Sequence, residues 1–195
     1  TYFEPETLLE WRNGIASRGG WMIVDEAFVD PTPEYSLAPH CPLPGLVVLR
    51  SLGKFFGLAG LRIGFALGPE TLLQRLEEML GPWAVNGPAR WLARRALADS
   101  GWQQRMRARL PVEANRLGCV LERHFRQRIV GTPLFRTVLT PHAATIHENL
   151  AHQAILCRLL DRQDGLRFGL PPDEAALDRL EAALATAALG ETTRA

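Results

Sequence analysis

The chain has 195 residues, 47% of them hydrophobic and 22% charged, with a formal net charge of +1. That is material for one folded domain, or one domain and a small second one, and it excludes disorder along the whole length. The charge balance excludes a general attraction to nucleic acid, and no apolar run approaches the ~20 residues of a membrane span.

No signal-peptide pattern opens the chain. The three cysteines, Cys41, Cys119 and Cys157, are widely spaced and odd in number. They form neither a disulfide framework nor a C-x-x-C pair, so a reducing, cytoplasmic setting is expected. Neither a nucleic acid nor a membrane is expected as partner.

In chain order, residues 5–17 place Leu8, Leu9, Trp11 and Ile15 at helical spacing, and Gly19-Gly20 stops the pattern. Residues 21–24 are an apolar run without alternation, the pattern of a strand buried on both faces, leading into Asp25-Glu26-Ala27-Phe28. Residues 31–45 hold five of the 14 prolines and read as a stiffened loop. Residues 46–49 are a second buried strand ending at Arg50-Ser51, and residues 63–67 a third. Amphipathic helices are predicted over 69–80, with Leu72, Leu73, Leu76, Met79 and Leu80 on one stripe, and over 88–98. A longer helical pattern covers 102–128, with Pro111 starting or kinking a segment. Residues 134–139, 155–159 and 166–170 are strand candidates. Residues 141–153 and 171–188 are helix candidates, and 190–195 reads as a frayed tail. Alternating helices and strands argue an α/β fold, with a boundary placed near residue 100.

Of the 22 basic residues a single one, Lys54, is lysine. A guanidinium stays protonated and cannot form a Schiff base, so this position stands apart, although a leftover surface lysine is an equal reading of composition alone. A phosphate loop of the G-x-x-x-x-G-K-[ST] type is ruled out, because Val48 and Phe55 stand where Gly and Ser or Thr are required. His147 and His152 are five apart, which turns them to different faces of a helix, and no metal site is expected.

Asp25 sits at the exit of one predicted strand, and Ser51 and Lys54 at the exit of the next. Ligands of open parallel sheets gather at carboxyl ends of strands. Among Phe55, Phe56, Gly57 and Leu58 the Lys54 ammonium is expected to be desolvated, which favours the neutral amine that Schiff-base chemistry needs. Ser51 and Arg62 suit a phosphate, held between a hydroxyl and a guanidinium fork, and Asp25 suits a protonated ring nitrogen. Each also has a plainer reading: Asp25 as a turn cap, Ser51 as a loop opener, Arg62 in a surface ion pair worth ~0–1 kcal/mol.

The run Ser51-Leu52-Gly53-Lys54-Phe55-Phe56-Gly57-Leu58-Ala59-Gly60-Leu61-Arg62-Ile63-Gly64 resembles the cofactor-lysine segment of the pyridoxal-phosphate enzymes of the class I/II aminotransferase superfamily (fold type I). Ser51, Lys54 and Arg62 match its S-x-x-K motif with an arginine eight residues after the lysine. Val24-Asp25-Glu26-Ala27-Phe28 resembles the strand whose Asp pairs with the pyridine nitrogen. Within the superfamily, Gly81-Pro82-Trp83-Ala84-Val85-Asn86-Gly87-Pro88, Gly131-Thr132-Pro133-Leu134-Phe135-Arg136 and Leu166-Arg167-Phe168-Gly169-Leu170-Pro171 resemble the threonine-phosphate decarboxylase family of cobalamin biosynthesis. That family is itself similar to histidinol-phosphate aminotransferases.

The resemblance implies pyridoxal 5'-phosphate as cofactor. It implies residues 1–100 as the C-terminal part of a large, mostly parallel cofactor-binding domain, and residues 101–195 as a small α+β domain. Lys54 would be the catalytic lysine, and Asp25, Ser51 and Arg62 would hold the cofactor. Arg167 would bind the substrate carboxylate and Arg158 a second substrate anion, with Asn86 near the cofactor; as strand residues alone, the two arginines also read as exposed charges. The implied reaction is decarboxylation of L-threonine O-3-phosphate to (R)-1-amino-2-propanol O-2-phosphate by a homodimeric enzyme. A histidinol-phosphate-type aminotransferase and a catalytically silent folded fragment are the alternatives.

Two departures stand out. Many aminotransferases carry Tyr where this chain has Phe28, which donates no hydrogen bond to the cofactor's phenolic oxygen and so weakens the case for transamination. The N-terminal portion of such enzymes, with its Gly-containing phosphate turn, ring-stacking aromatic and Asn, has no counterpart here, so the chain is expected to be a C-terminal fragment.

Overall fold

The computed structural model describes residues 2–188, so the tail expected at 190–195 lies outside the described residues. Two compact units emerge, one through Arg105 and one from Met106.

The first unit opens with helix α1 (Pro5–Ala16), which has proline in its first turn. The amides of Gly19 and Gly20 close onto the carbonyls of Ala16 and Ile15, and Gly19 takes φ 73°, so the helix stops at the glycines. Strand β1 (Met22–Asp25) pairs in parallel with β2 (Leu46–Ser51), Asp25 standing opposite Leu49. Strand β3 (Gly64–Leu67) pairs antiparallel with the other side of β2, Ser51 standing opposite Gly64. The proline-rich connection between β1 and β2 carries two short 3-10 turns, Pro33–Tyr35 and Ala38–His40.

The expectation of strands buried on both faces holds only for the start of β2, where Leu46, Val47 and Val48 are buried. Strand β1 alternates instead. Val24 packs with Leu37, Leu46 and Val48, against Leu8 and Leu9 of α1, whereas Ile23 is 64% exposed and Asp25 is exposed. An edge strand covered on one face shows this period of two however apolar its sequence.

Helices α2 (Glu70–Leu80), α3 (Gly87–Ala98) and α4 (Ser100–His124) follow. Helix α4 starts where Asp99 Oδ1 accepts from the Trp102 amide, and it continues through Pro111 to His124 rather than to the expected residue 128.

From Met106 onward, the rest of α4, helices α5 (Ala143–His152) and α6 (Glu174–Ala188) and a four-stranded antiparallel sheet make the second unit. The strands are β4 (Ile129–Thr132), β5 (Phe135–Leu139), β6 (Arg158–Leu159) and β7 (Gly165–Gly169), in the order β4-β5-β7-β6. The sequence reading has no β4 and a longer β6. Strand β4 is four residues with a central glycine, a pattern too weak to read. Gly131 is nevertheless required, since a Cβ there would stand 2.2 Å from the Phe135 carbonyl oxygen. Leu117 and Leu121 of α4, Ile146 and Leu150 of α5, Leu180 and Leu184 of α6, and Val138, Leu166 and Phe168 of the sheet share one buried core.

Candidate functional site

Strands β1 and β2 are adjacent and parallel, so their carboxyl ends open at the same end of the sheet. Alternation sorts the side chains there. Val24, Val48 and the residues continuing their register face the core, which sends Asp25 and Ser51 to the opposite face.

Beyond Ser51 the chain turns tightly. The Gly53 amide donates to Ser51 Oγ at 3.1 Å, Gly57 N to the Lys54 carbonyl at 3.0 Å and Leu58 N to the Leu52 carbonyl at 3.0 Å. Phe55 and Phe56 turn inward and pack on Trp102, with ring centroids 5.3 and 5.7 Å from the indole. A short 3-10 turn, Ala59–Leu61, then delivers Arg62 at φ 52°, the left-handed region that non-glycine residues seldom occupy.

A cleft of about 290 Å³ results, lined by Ser51, Gly53, Lys54, Leu58, Ala59, Arg62, Ile63 and Gly64. The hydroxyl, the amine and the guanidinium singled out from the sequence therefore meet in one space. Among the described residues, neither Lys54 nor Arg62 pairs with a carboxylate. Lys54 Nζ lies 5.4 Å from the Phe28 ring centroid, a cation–π distance that ties the lysine to the loop following Asp25.

The expected desolvation of Lys54 is corrected by the structure: the residue is exposed. Its aromatic neighbours in sequence serve the core of the unit instead, and the Phe28 ring is the apolar group its ammonium meets.

Asp25 is exposed, and its Oδ1 accepts from the Ala27 amide at 2.9 Å, a turn that holds the carboxylate at the strand exit. Asn86 serves as the N-cap of α3, its Oδ1 accepting from Ala89 N at 2.9 Å. In the second unit Arg158 and Arg167 are directly opposed across β6 and β7. Arg167 stacks its guanidinium 5.1 Å from the Phe135 ring centroid, and Arg158 reaches Asp161 at 3.7 Å. Two cations at opposed strand positions repel, which favours an anion between them.

Sequence reasoning missed a buried polar network on the core side of the same strand exits. Glu26 is 4% exposed. Ser36 Oγ donates to its Oε2 at 2.6 Å and the Leu37 amide to its Oε1 at 2.6 Å. Arg50 Nη1 lies 3.5 Å from Glu26 Oε2, and Arg50 Nη2 pairs with Asp30. The available signal was the opposite charges of Glu26 and Arg50, one beside Asp25 and the other beside Ser51. Burial, and after it the Glu26 carboxylate, push the nearby Cys41 thiol up.

Residues 1–146 match the family model of aminotransferase class I and II. The chain belongs to this family. Pyridoxal 5'-phosphate is the family's cofactor. The chain is 52% identical over 182 residues to a threonine-phosphate decarboxylase of Pseudomonas aeruginosa, an alignment covering 93% of this chain and 55% of the relative. The chain thus spans about half the length of that relative.

Among solved structures it matches the histidinol-phosphate aminotransferase of Clostridium acetobutylicum at TM-score 0.85 and 19% identity, covering 96% of this chain and 60% of that one. It also matches the histidinol-phosphate aminotransferase of Sinorhizobium meliloti in complex with pyridoxal-5'-phosphate, at TM-score 0.82 and 20% identity, covering 98% and 55%. At such identities the likeness is one of fold: the aminotransferase-family chain is a partial α/β fold of the type I class followed by an α+β portion.

The residues of the cleft fit the cofactor's chemistry. An amine for an aldehyde and a hydroxyl with a guanidinium for a phosphate line one space, and at Gly64 only a glycine fits the close approach to β2. A Cβ at Gly53 would sit 3.4 Å from Ser51 Oγ, and one at Gly64 would sit 2.8 Å from the Arg50 carbonyl oxygen.

Proposed function

We propose that this chain is the lysine-bearing part of a pyridoxal-phosphate-dependent decarboxylase that converts L-threonine O-3-phosphate to (R)-1-amino-2-propanol O-2-phosphate and carbon dioxide, a step of cobalamin side-chain synthesis. The observation that carries the cofactor chemistry is the single cleft lined by Ser51, Lys54 and Arg62. The substrate rests on the 52% identity to the Pseudomonas aeruginosa threonine-phosphate decarboxylase.

Bound in the cleft, pyridoxal 5'-phosphate supplies an electrophilic carbonyl and an electron-accepting ring. Lys54 Nζ is the amine that would hold the carbonyl carbon. The Ser51 hydroxyl, whose oxygen already accepts from Gly53 N, donates to the phosphate, and Arg62 adds a guanidinium fork. The Asp25 carboxylate, held at the strand exit by the Ala27 amide, would accept from the ring N–H and favour its protonated form. Asn86, whose oxygen caps α3, contributes its amide hydrogens. Arg158 and Arg167, opposed across β6 and β7, are the candidates to hold the substrate's phosphate and carboxylate, and holding both anions would fix the substrate's rotation about its Cα bonds. Once the substrate's amino group had displaced it from the carbonyl carbon, the freed Lys54 Nζ would hold the proton that replaces the departing carbon dioxide at Cα, the electron pair of the broken bond having passed to the ring.

A histidinol-phosphate-type aminotransferase is the second reading, favoured by 40% identity over 90 residues to the histidinol-phosphate aminotransferase of Sodalis glossinidius. Phe28 weighs against it, since its ring offers no hydroxyl for the cofactor's phenolic oxygen. The proposal includes a homodimer in a cytoplasmic setting. Trp83, Met79 and Leu80 are exposed apolar groups suited to self-association, and among the described residues no helix is long and apolar enough to cross a membrane.

The test is incubation of the full-length enzyme with L-threonine O-3-phosphate. Carbon dioxide release without any keto acid is expected, and strict dependence on a keto acid would reverse the assignment in favour of the aminotransferase.

A further inference from the structure

We infer that Glu26, acting through Ser36 and Arg50, is a positioning residue for the cofactor cleft, coupling the ring-nitrogen end of the site to its phosphate end; this rests on the cofactor reading above. The Glu26 amide donates to the Leu49 carbonyl at 2.8 Å, so the ladder between β1 and β2 continues one step past Asp25. In an extended chain consecutive side chains point to opposite faces. Holding the Glu26 carboxylate on the core face therefore holds Asp25 on the other. Arg50 does the same for Ser51, the next residue of β2. One network thus reaches the neighbour of the ring-nitrogen partner and the neighbour of the phosphate partner.

Its members are well held. Both oxygens of Glu26 accept bonds at 2.6 Å, from Ser36 Oγ and from Leu37 N. Ser36 Oγ also receives Arg50 Nη1 at 3.3 Å and the Ala38 amide at 3.1 Å. Arg50 pairs with Asp30 as well, so the guanidinium is anchored from two sides. A buried carboxylate tied to a serine, an amide and an arginine has few alternative geometries, and losing one partner shifts the others. None of these groups lines the cleft, so the effect runs through Asp25 and Ser51 rather than through contact with the cofactor.

The experiment titrates the 195-residue chain, Glu26→Gln and Arg50→Lys with pyridoxal 5'-phosphate. Dissociation constants and the pH midpoint of the bound cofactor's absorbance are read, and ligand-free melting is recorded for each protein. Glu26→Gln is expected to weaken binding about tenfold and to shift the midpoint in a protein that still melts cooperatively, and Arg50→Lys, whose single ammonium does not reproduce the two-sided guanidinium anchor, to weaken binding as well. A folded Glu26→Gln chain with unchanged affinity and midpoint overturns the inference. Should Glu26→Gln fail to fold, Ser36→Ala takes its place: weaker binding by the folded variant supports the coupling, and parental affinity overturns it. If the unsubstituted chain yields no borohydride-trapped pyridoxyl group on Lys54, the cofactor reading falls and this inference with it, an outcome distinct from equal binding by parent and variant.

Discussion

At the scale of single residues, the site turns on an amine that is both exposed and poised. Lys54 stands at the mouth of the cleft, over the Phe28 ring and with no carboxylate partner among the described residues. Lys54→Arg preserves the positive charge but removes the capacity to condense with an aldehyde. Reductive trapping with pyridoxal 5'-phosphate is therefore expected to label the Lys54 peptide of the parent and no side chain of the variant, read by peptide mass. Because Lys54 is exposed, the substitution is expected to change stability by no more than about 0.5 kcal/mol. The residues of the cleft were legible because their types carry chemistry at a fixed spacing within one short segment. The exposure of Lys54 was not, because the inward turn of Phe55 and Phe56 depends on Trp102, nearly fifty positions away in the chain. The Glu26 network was hidden for a similar reason: Glu26, Asp30, Ser36 and Arg50 are dispersed, and only the pairing of β1 with β2 gathers them.

At the scale of elements, the helices and the first two strands follow local rules of spacing and punctuation, whereas the covering of their faces does not. The run that forms β1 reads as fully buried, yet its edge position leaves Ile23 and Asp25 open. Asn86 carries an observed role in an element, the N-cap of α3, and a proposed one in the site. The Asn86 oxygen caps the helix, and the proposed function assigns its amide hydrogens to the cofactor. Two substitutions separate these roles. Asn86→Ala is expected to cost about 1 kcal/mol in urea denaturation through loss of the cap. Asn86→Asp keeps an acceptor at the helix N-terminus, where a negative charge is favourable, and is expected to hold stability. It lacks the amide hydrogens, so its affinity for pyridoxal 5'-phosphate should fall; parental affinity in Asn86→Asp would leave Asn86 as a cap alone.

At the scale of the whole molecule, each unit has its own buried core, one around Leu37, Leu46 and Val48 and the other around Leu121, Leu150 and Leu184. The chain carries its own reporter for telling them apart. All five tryptophans, Trp11, Trp21, Trp83, Trp91 and Trp102, lie in the first unit, so tryptophan fluorescence follows that unit while far-ultraviolet circular dichroism follows both. Cys157 supplies a pH lever on the second core alone. Burial pushes its thiol up from 9.0 to about 11. Below pH 9 the thiol is protonated whether the chain is folded or not, and Cys157 gives no pH dependence. Between 9 and about 11 the unfolded chain releases this proton and the folded chain retains it, so the folded state binds more protons and stability falls as pH rises. The circular dichroism transition of the second unit is thus expected to move to lower urea from pH 9 to 11 by more than the fluorescence transition does. Cys157→Val, which fills the site with an apolar group that does not ionise, is expected to remove that excess and leave the fluorescence transition where it was. Equal alkaline shifts of both signals in the parent, unaltered in Cys157→Val, would show instead that the units unfold as one and that this thiol does not set the slope.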